Sequence, residues 1–219
     1  MSSAFNNCHS IKKLGIGKWD VSSWQVTSLN GTFSSCYSLE ELDLSDWNTE
    51  NWAVTTLNET FYSCRSLKRI DLRNWDTSNW AVTTVRSLFG YSTSLMEIDV
   101  TGWDTSGFNL VSNALGYTFI DLYNLRSCRG FETWECFSTV TSSGNVPIGV
   151  KLTDFTGMPL VYNCDFSSAH SLTKESLIAM LTVLPELTGT HKITLGQTNK
   201  LKLTPEEIAI ATNKGWTVA

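Results

Sequence analysis

The chain has 219 residues, a formal net charge of −5 and a sequence pI near 5.2. Such an acidic balance argues against a nucleic acid or an anionic membrane surface as partner, because both require a basic face. The sequence contains no run of about 18 apolar residues that would predict a membrane-spanning helix, and no charged start followed by an apolar segment that would predict a secretory signal.

A repeat of 28 residues runs through the first two thirds of the chain. It sets the spacing of four tryptophans and four phenylalanines, which are Trp19, Trp47, Trp75 and Trp103, and Phe5, Phe33, Phe61 and Phe89. A fixed period between about 20 and 50 residues is the signature of stacked repeats, in which each copy contacts its neighbours. The copies run over 5–32, 33–60, 61–88 and 89–116. Because the first copy starts almost at Met1, we expect that upstream sequence has been trimmed.

Each copy contains a segment typical of the strand in a leucine-rich repeat. Residues 67–72 follow the pattern L-x-x-L-x-L, with isoleucine in the second apolar position. Ile70 and Leu72 alternate with Asp71, so we expect one side of the strand to be buried and the other to face solvent.

The second half of each copy has a helical pattern. After a tryptophan-containing turn, Val82, Val85 and Phe89 follow at spacings of three and four residues, which predicts a short helix. The sequence therefore predicts an α/β fold, a leucine-rich-repeat solenoid of 28-residue strand–turn–helix units that share one parallel sheet.

Stacking would bring equivalent residues of neighbouring copies to about 4.8 Å from each other. One outward position then alternates in charge through Lys13, Glu41, Arg69 and Glu97. Another carries like charges, which are Asp43, Asp71 and Asp99. Two interpretations stay open for these carboxylates: Arg69, Arg73 and solvent compensate their repulsion, or they form a site for a cation or another ligand.

The repeat weakens after the fourth copy. Phe119, Leu122 and Cys128 match the positions of Phe61, Cys64 and Ile70 only if the register slips by two residues. We therefore predict a repeat domain over 1–137, with a degenerate fifth copy, and a C-terminal capping region over 138–219.

The capping region has its own helix and strand signals. A helix is predicted over 173–184, and a second begins at Thr204 with Pro205 in its first position and Glu207 completing a capping box. Short strands are expected around 151–155, 158–164, 191–195 and 215–218. This order predicts an α/β cap that continues the repeat sheet and covers its open edge.

The spacing of the six cysteines does not indicate a disulfide framework. Cys8, Cys36 and Cys64 share one repeat position, where neighbouring copies are expected to be too far apart for a disulfide, so they are predicted as small core residues. One bond among Cys128, Cys136 and Cys164 stays open. We find no zinc-ligand spacing and no catalytic motif, and we therefore expect no metal, no cofactor and no enzymatic activity.

The repeat is similar to the BspA-like leucine-rich repeats of bacterial surface proteins. Residues 33–49 and 61–79 carry the resemblance, with the pattern F-x-x-C-x-S-L-x-x-L-D-L-S-x-W-x-T-x-N, and it covers about residues 4–135. The chain departs from this family in its longer unit and in Trp52 and Trp80, where valine is common. The resemblance implies a non-enzymatic adhesin that binds host proteins, other bacteria or surface glycans.

Two functional hypotheses follow from the resemblance and from the outward side chains of the predicted sheet. The first is a recognition module of a secreted or cell-surface bacterial protein, which binds a protein or glycan through its strand face. We predict that this face consists of Glu41, Asp43, Ser45, Arg69, Asp71, Arg73, Glu97 and Asp99. The alternative is a tail-fibre or receptor-binding component of a phage virion, since the ending of residues 203–218 resembles endings found beside such repeats in gut bacteria and their phages. A third interpretation is that the charged residues only solvate the sheet.

Overall fold

The computed structural model describes residues 1–111, 114–134 and 151–219. Its strands are β1 (Lys13–Leu14), β2 (Glu41–Leu42), β3 (Arg69–Asp71), β4 (Glu97–Asp99), β5 (Ser127–Arg129), β6 (Asp154–Phe155), β7 (Cys164–Asp165), β8 (His191–Thr194) and β9 (Trp216–Val218). Its helices are α1 (Lys174–Val183), α2 (Gly196–Lys200) and α3 (Pro205–Thr212).

The strands form three small parallel sheets, with the orders β1-β2, β3-β4-β5-β6 and β7-β8-β9. Within the repeats the pairing follows the 28-residue period, because Lys13 faces Glu41 and Arg69 faces Glu97. Between β2 and β3 the pairing is interrupted, and in the described part of the chain no backbone hydrogen bond joins these two strands. The strand sides are as predicted, since Ile70 is buried and Arg69 is exposed.

The predicted fold is wrong in its helical half. The described residues contain three short helices, all beyond residue 173. The segments of the repeats that were expected to be helical consist of turns, irregular backbone and an isolated bridge between Thr56 and Thr84. The structure therefore does not have the predicted α/β leucine-rich-repeat solenoid of strand–turn–helix units on one continuous parallel sheet.

Backbone hydrogen bonds explain why residues 57–64 do not form a helix. Every second amide donates to the next copy instead of to its own turn, as the amide of Phe61 does to the carbonyl oxygen of Leu88 at 2.9 Å. Between them, Thr60 and Tyr62 donate three residues back, to Leu57 at 3.3 Å and to Glu59 at 3.1 Å. An α-helix requires bonds four residues back at every position. Glu59 and Ser63 also have positive φ angles of 55° and 57°, which an α-helix does not allow.

Aromatic side chains stack in the core of the repeats. Trp47, Trp75 and Trp103 lie nearly parallel, with ring centroids 6.1 and 6.2 Å apart, and Trp134 continues the stack at 5.6 Å from Trp103. Trp19 is 45% exposed and tilts against Phe5 and Trp24. The equivalent phenylalanines stack in the same way from Phe5 to Phe89, with ring centroids 5.4, 5.6 and 6.0 Å apart.

The slip in the fifth copy is confirmed by the strand register. Ile98 of β4 faces Cys128 of β5, which is 30 residues later, whereas Ile70 faces Ile98 after 28. The boundary predicted between residues 137 and 138 lies outside the described residues, and the division into two domains stays a prediction.

The predicted helices of the C-terminal region are confirmed in position. The Thr173 side chain caps α1, and the capping box of Thr204 and Glu207 is present at α3. The predicted relation of this region to the repeat sheet needs correction. Of the strands described in this region, only β6 joins that sheet, by pairing with β5, whereas β7, β8 and β9 form a separate sheet.

The cysteines of the repeat behave as core residues. Cys36 and Cys64 are buried free thiols, and each donates to a carbonyl oxygen 31 residues earlier, Phe5 at 3.0 Å and Phe33 at 3.1 Å. Ser92 makes the same bond with its hydroxyl at 2.7 Å. Cys128 and Cys164 are also free, while Cys136 lies outside the described residues.

None of the described helices has both the length and the apolar character needed to span a membrane.

Candidate ligand-binding face

Asp71 is the centre of a charge network on the strand face. Its carboxylate accepts from the Arg69 guanidinium at 2.8 Å and from the Nε and Nη2 atoms of Arg73 at 2.9 and 2.8 Å. Hydrogen bonding from Arg73 is the main reason that the pKa of Asp71 lies below its usual value.

The same arginines connect neighbouring copies. Arg73 reaches the Asp99 carboxylate at 3.5 Å, and Arg69 reaches Glu97 at 3.5 Å. The structure thus brings together five of the predicted face residues, in which the arginines compensate adjacent carboxylates. No group of three or more potential metal-binding side chains lies together in the described residues.

The aspartates at this position also hold the turn that follows each strand. Asp43 accepts from the Ser45 amide at 3.0 Å and from its hydroxyl at 2.7 Å, and these two bonds lower the pKa of Asp43. Asp99 accepts from the Thr101 amide at 3.0 Å. Since this bond recurs from copy to copy, the aspartates have a structural role that does not depend on a ligand.

Glu41 and Asp43 lie outside the arginine network, beyond the interruption between β2 and β3. Glu41 forms an ion pair with Lys13, which lowers the pKa of Glu41 and raises that of the lysine. Lys18 pairs in the same way with Asp46. These ion pairs are exposed and screened by solvent, so each contributes little to stability.

A cleft of about 710 Å³ lies over the first three copies. Its lining comes from Lys13, Leu14, Gly15, Gly17 and Lys18 of the first copy, from residues 40–45 of the second, and from Lys68, Arg69 and Asp71 of the third. Four of these side chains carry positive charge and four carry negative charge, which are Lys13, Lys18, Lys68 and Arg69, and Glu40, Glu41, Asp43 and Asp71. The cleft thus offers donors and acceptors of both signs.

Two glycines of the first copy shape the cleft. Gly15 stands where later copies have aspartate, and Gly17 stands where they have Ser45, Arg73 and Thr101. A Cβ atom at Gly15 would meet nothing within 4 Å, so the space beside it is open. At Gly17 a Cβ atom would lie 3.0 Å from the carbonyl oxygen of Asp43, which packs over this glycine.

Lys13, Lys18 and Lys68 line the cleft but were not among the predicted face residues. The strand face is also less uniform than predicted, because the cleft is confined to its N-terminal end. The available signal was the departure of Gly15 and Gly17 from the residues of the other copies. Removing outward side chains at two neighbouring positions leaves a concave surface where the later copies are filled.

Comparison with known proteins gives one family match. A family described as "Mycoplasma protein of unknown function, DUF285" matches residues 1–119. No curated protein matches the chain.

Proposed function

Because the chain belongs to the DUF285 family of Mycoplasma-type proteins of unknown function, we propose from its own surface that it is a non-catalytic recognition module. It binds a protein or glycan ligand through the strand face, with the cleft beside Gly15 as the contact centre. The observation that carries the proposal is this cleft, which is lined by charged side chains of both signs.

The energetics of the strand face favour recognition by complementarity. The side chains on the cleft walls are fixed by ion pairs and by the turn bonds of the aspartates, so less side-chain entropy is lost when a ligand binds. The lining combines charged side chains with those of Leu14, Leu42 and Leu44, so it offers both polar and apolar contacts. A hydroxyl-rich glycan or a polar protein segment fits such a lining.

Two sequence relationships support a location on the cell surface. The DUF285 family is associated with BspA-like surface proteins, and the repeat pattern at 33–49 and 61–79 resembles BspA-like repeats.

The test is to probe arrays of glycans and of purified proteins with the chain and two variants. Gly15→Asp restores the residue that later copies have and fills the cleft without a clash, since nothing lies within 4 Å of the added Cβ. We expect this variant to keep its melting temperature and to lose at least about tenfold in affinity, as expected when a central contact is removed.

Gly15→Asn is the matched variant, because it adds the same volume without charge. Equal loss in both variants would show that the cleft acts by shape, and loss in Gly15→Asp alone would show that it acts by charge. Binding of any array ligand with unchanged affinity in both variants would exclude the cleft as the contact centre.

A further inference from the structure

Tyrosines gather on a face of the repeats other than the strand face. The segments 29–37, 57–65, 85–93 and 114–123 lie side by side through bonds such as Ser35 amide to Tyr62 carbonyl at 2.8 Å, and we call this surface the turn face. Five of the six tyrosines of the chain belong to it, which are Tyr37, Tyr62, Tyr91, Tyr117 and Tyr123. Tyr37, Tyr117 and Tyr123 are 37%, 47% and 60% exposed.

The repeat does not explain these tyrosines. The core phenylalanines recur in each copy, whereas no tyrosine is followed by another at the same position of the next copy. The residues 28 positions after Tyr37 and Tyr62 are Arg65 and Gly90. Packing of the repeat therefore does not require a tyrosine at any of these positions.

The tyrosines contact each other and two arginines. The ring of Tyr37 stacks on His9 with centroids 4.6 Å apart, and the Arg65 guanidinium lies 4.7 Å from the same ring. Tyr62 and Tyr91 meet edge to face at 5.4 Å.

Toward the end of the turn face, Arg86 lies 5.4 Å from the centroid of Tyr117. Tyr123 forms a hydrogen bond with Asp121, which raises the pKa of Tyr123. The tyrosines of this face are thus held by contacts on the surface itself, and they extend across four copies of the repeat.

Two of the tyrosines adopt a strained backbone. Tyr91 and Tyr117 have φ angles of 61° and 62°, a region where bulky residues are rare. The equivalent positions of earlier copies hold serine, asparagine or glycine in most cases, which accept this conformation more easily. The positive φ recurs at these two positions in every copy, so it belongs to the repeat itself, and tyrosine is not a residue that this backbone conformation favours.

The composition of the turn face fits a protein partner. Tyrosine, arginine, serine and asparagine together are typical of protein-binding surfaces, because tyrosine gives a large contact at low entropy cost and the small polar residues adapt their hydrogen bonds. The charges are balanced, with Arg65 and Arg86 against Glu59 and Asp121, which disfavours nucleic acid. Among the described residues neither Arg65 nor Arg86 is in an ion pair, so both are open to a partner's carboxylates.

Ring geometry disfavours a glycan at the centre of this surface. Tyr37 has His9 of the preceding copy on one side and Arg65 of the following copy on the other. Its ring faces are therefore covered, and its edge and hydroxyl remain for a ligand. We propose that the turn face is a docking surface for a folded protein with a polar surface, independent of the strand-face cleft.

The test uses an array of purified folded proteins, with a glycan array in parallel, probed with the labelled chain. The variant Tyr37→Ser/Tyr123→Ser removes two exposed tyrosines. Glu50→Gln serves as the control, because Glu50 is exposed and belongs neither to the cleft lining nor to the turn face. The proposal expects binding to at least one array protein, at least about tenfold weaker binding by the tyrosine variant, and unchanged binding by the control.

Three results would overturn the proposal: no array protein is bound, the tyrosine variant binds as well as wild type, or only glycans are bound in a tyrosine-dependent way. A second measurement separates binding from folding. Tyr117→Asn relieves the strained φ, so its melting temperature should equal or exceed that of wild type. A clear fall would show that the tyrosine is kept for stability, and would count against the proposal.

Discussion

The indole nitrogen of Trp103 donates a hydrogen bond of 2.8 Å to the carbonyl oxygen of Leu72, which lies 31 residues earlier in the preceding copy. Trp47 makes the equivalent bond to Ile16 at 2.8 Å, and Trp75 makes it to Leu44 at 3.3 Å. The tryptophans therefore join consecutive copies in two ways, by ring stacking and by a directional bond across the end of each strand. This explains why tryptophan, and not another large apolar residue, recurs at this position.

Trp103→Phe should destabilise the fold by about 1–3 kcal/mol, because the buried carbonyl of Leu72 loses its donor while most of the ring contact is kept. Urea unfolding of the purified chain measures the change. Trp19→Phe is the matched control, since Trp19 is 45% exposed and should lose less than about 0.5 kcal/mol. Equal losses at both positions would contradict the role assigned to the buried bond.

The reactivity of the cysteine thiols should decrease as their burial increases. Burial raises the pKa of Cys36 to about 11, and it raises the pKa of Cys64 and Cys128 as well, so these thiols carry little reactive thiolate at neutral pH. Cys8 is half-buried at the first copy. With iodoacetamide on the native chain, peptide mapping should find Cys8 labelled first and Cys64 and Cys128 labelled only after denaturation. Fast native labelling of Cys64 would show that the copies separate readily.

The Asp71 network should make stability depend on acid pH. The folded-state pKa of Asp71 is depressed, so its contribution is fully present above the unfolded pKa and is lost as pH falls through the folded value. Asp71→Asn should therefore lower stability at pH 7, by about 1 kcal/mol or less for a partly exposed pair, and flatten the decline toward low pH. Thermal melts between pH 7 and pH 2 measure both effects.

Glu50→Gln is the control for that series. The Glu50 side chain is exposed and in no ion pair among the described residues, so its removal should leave the acid decline unchanged. If Asp71→Asn declines with acid as steeply as wild type, the arginine bonds do not stabilise the fold.

The repeat period predicted which residues pair between neighbouring strands, except at β2 and β3, where the pairing is interrupted. It predicted the pairing of Lys13 with Glu41 and of Arg69 with Glu97, and also the slip at Cys128. The reason is that a constant spacing between like residues within one chain reflects the stacking of its copies. It did not give the local conformation. Apolar spacings of three and four also arise from turns whose amides alternate between their own copy and the next, as those of Tyr62 and Phe61 do.

Two further features escaped the sequence for related reasons. The positive φ angles of Glu59 and Ser63 occur at residues that are neither glycine nor asparagine, because neighbouring copies impose the conformation. The cleft escaped because two glycines in one copy are not a signal by themselves: the gap at Gly15 and Gly17 becomes significant only when the other copies are known to lie beside it.

Glycine substitutions distinguish where the copies are in contact from where they leave space. Gly130 has a φ of 90°, and a Cβ atom there would lie 2.3 Å from the amide nitrogen of Thr101 in the adjacent copy. Gly130→Ala should therefore cost about 2–4 kcal/mol, from the left-handed conformation and from the clash with backbone that cannot move alone. Gly15→Ala meets nothing within 4 Å and should change stability by less than about 1 kcal/mol, toward greater stability. Chemical unfolding of the two variants in parallel measures their free energies of unfolding. Similar values for both would mean that the fourth and fifth copies are not packed as closely as the distance at Gly130 requires.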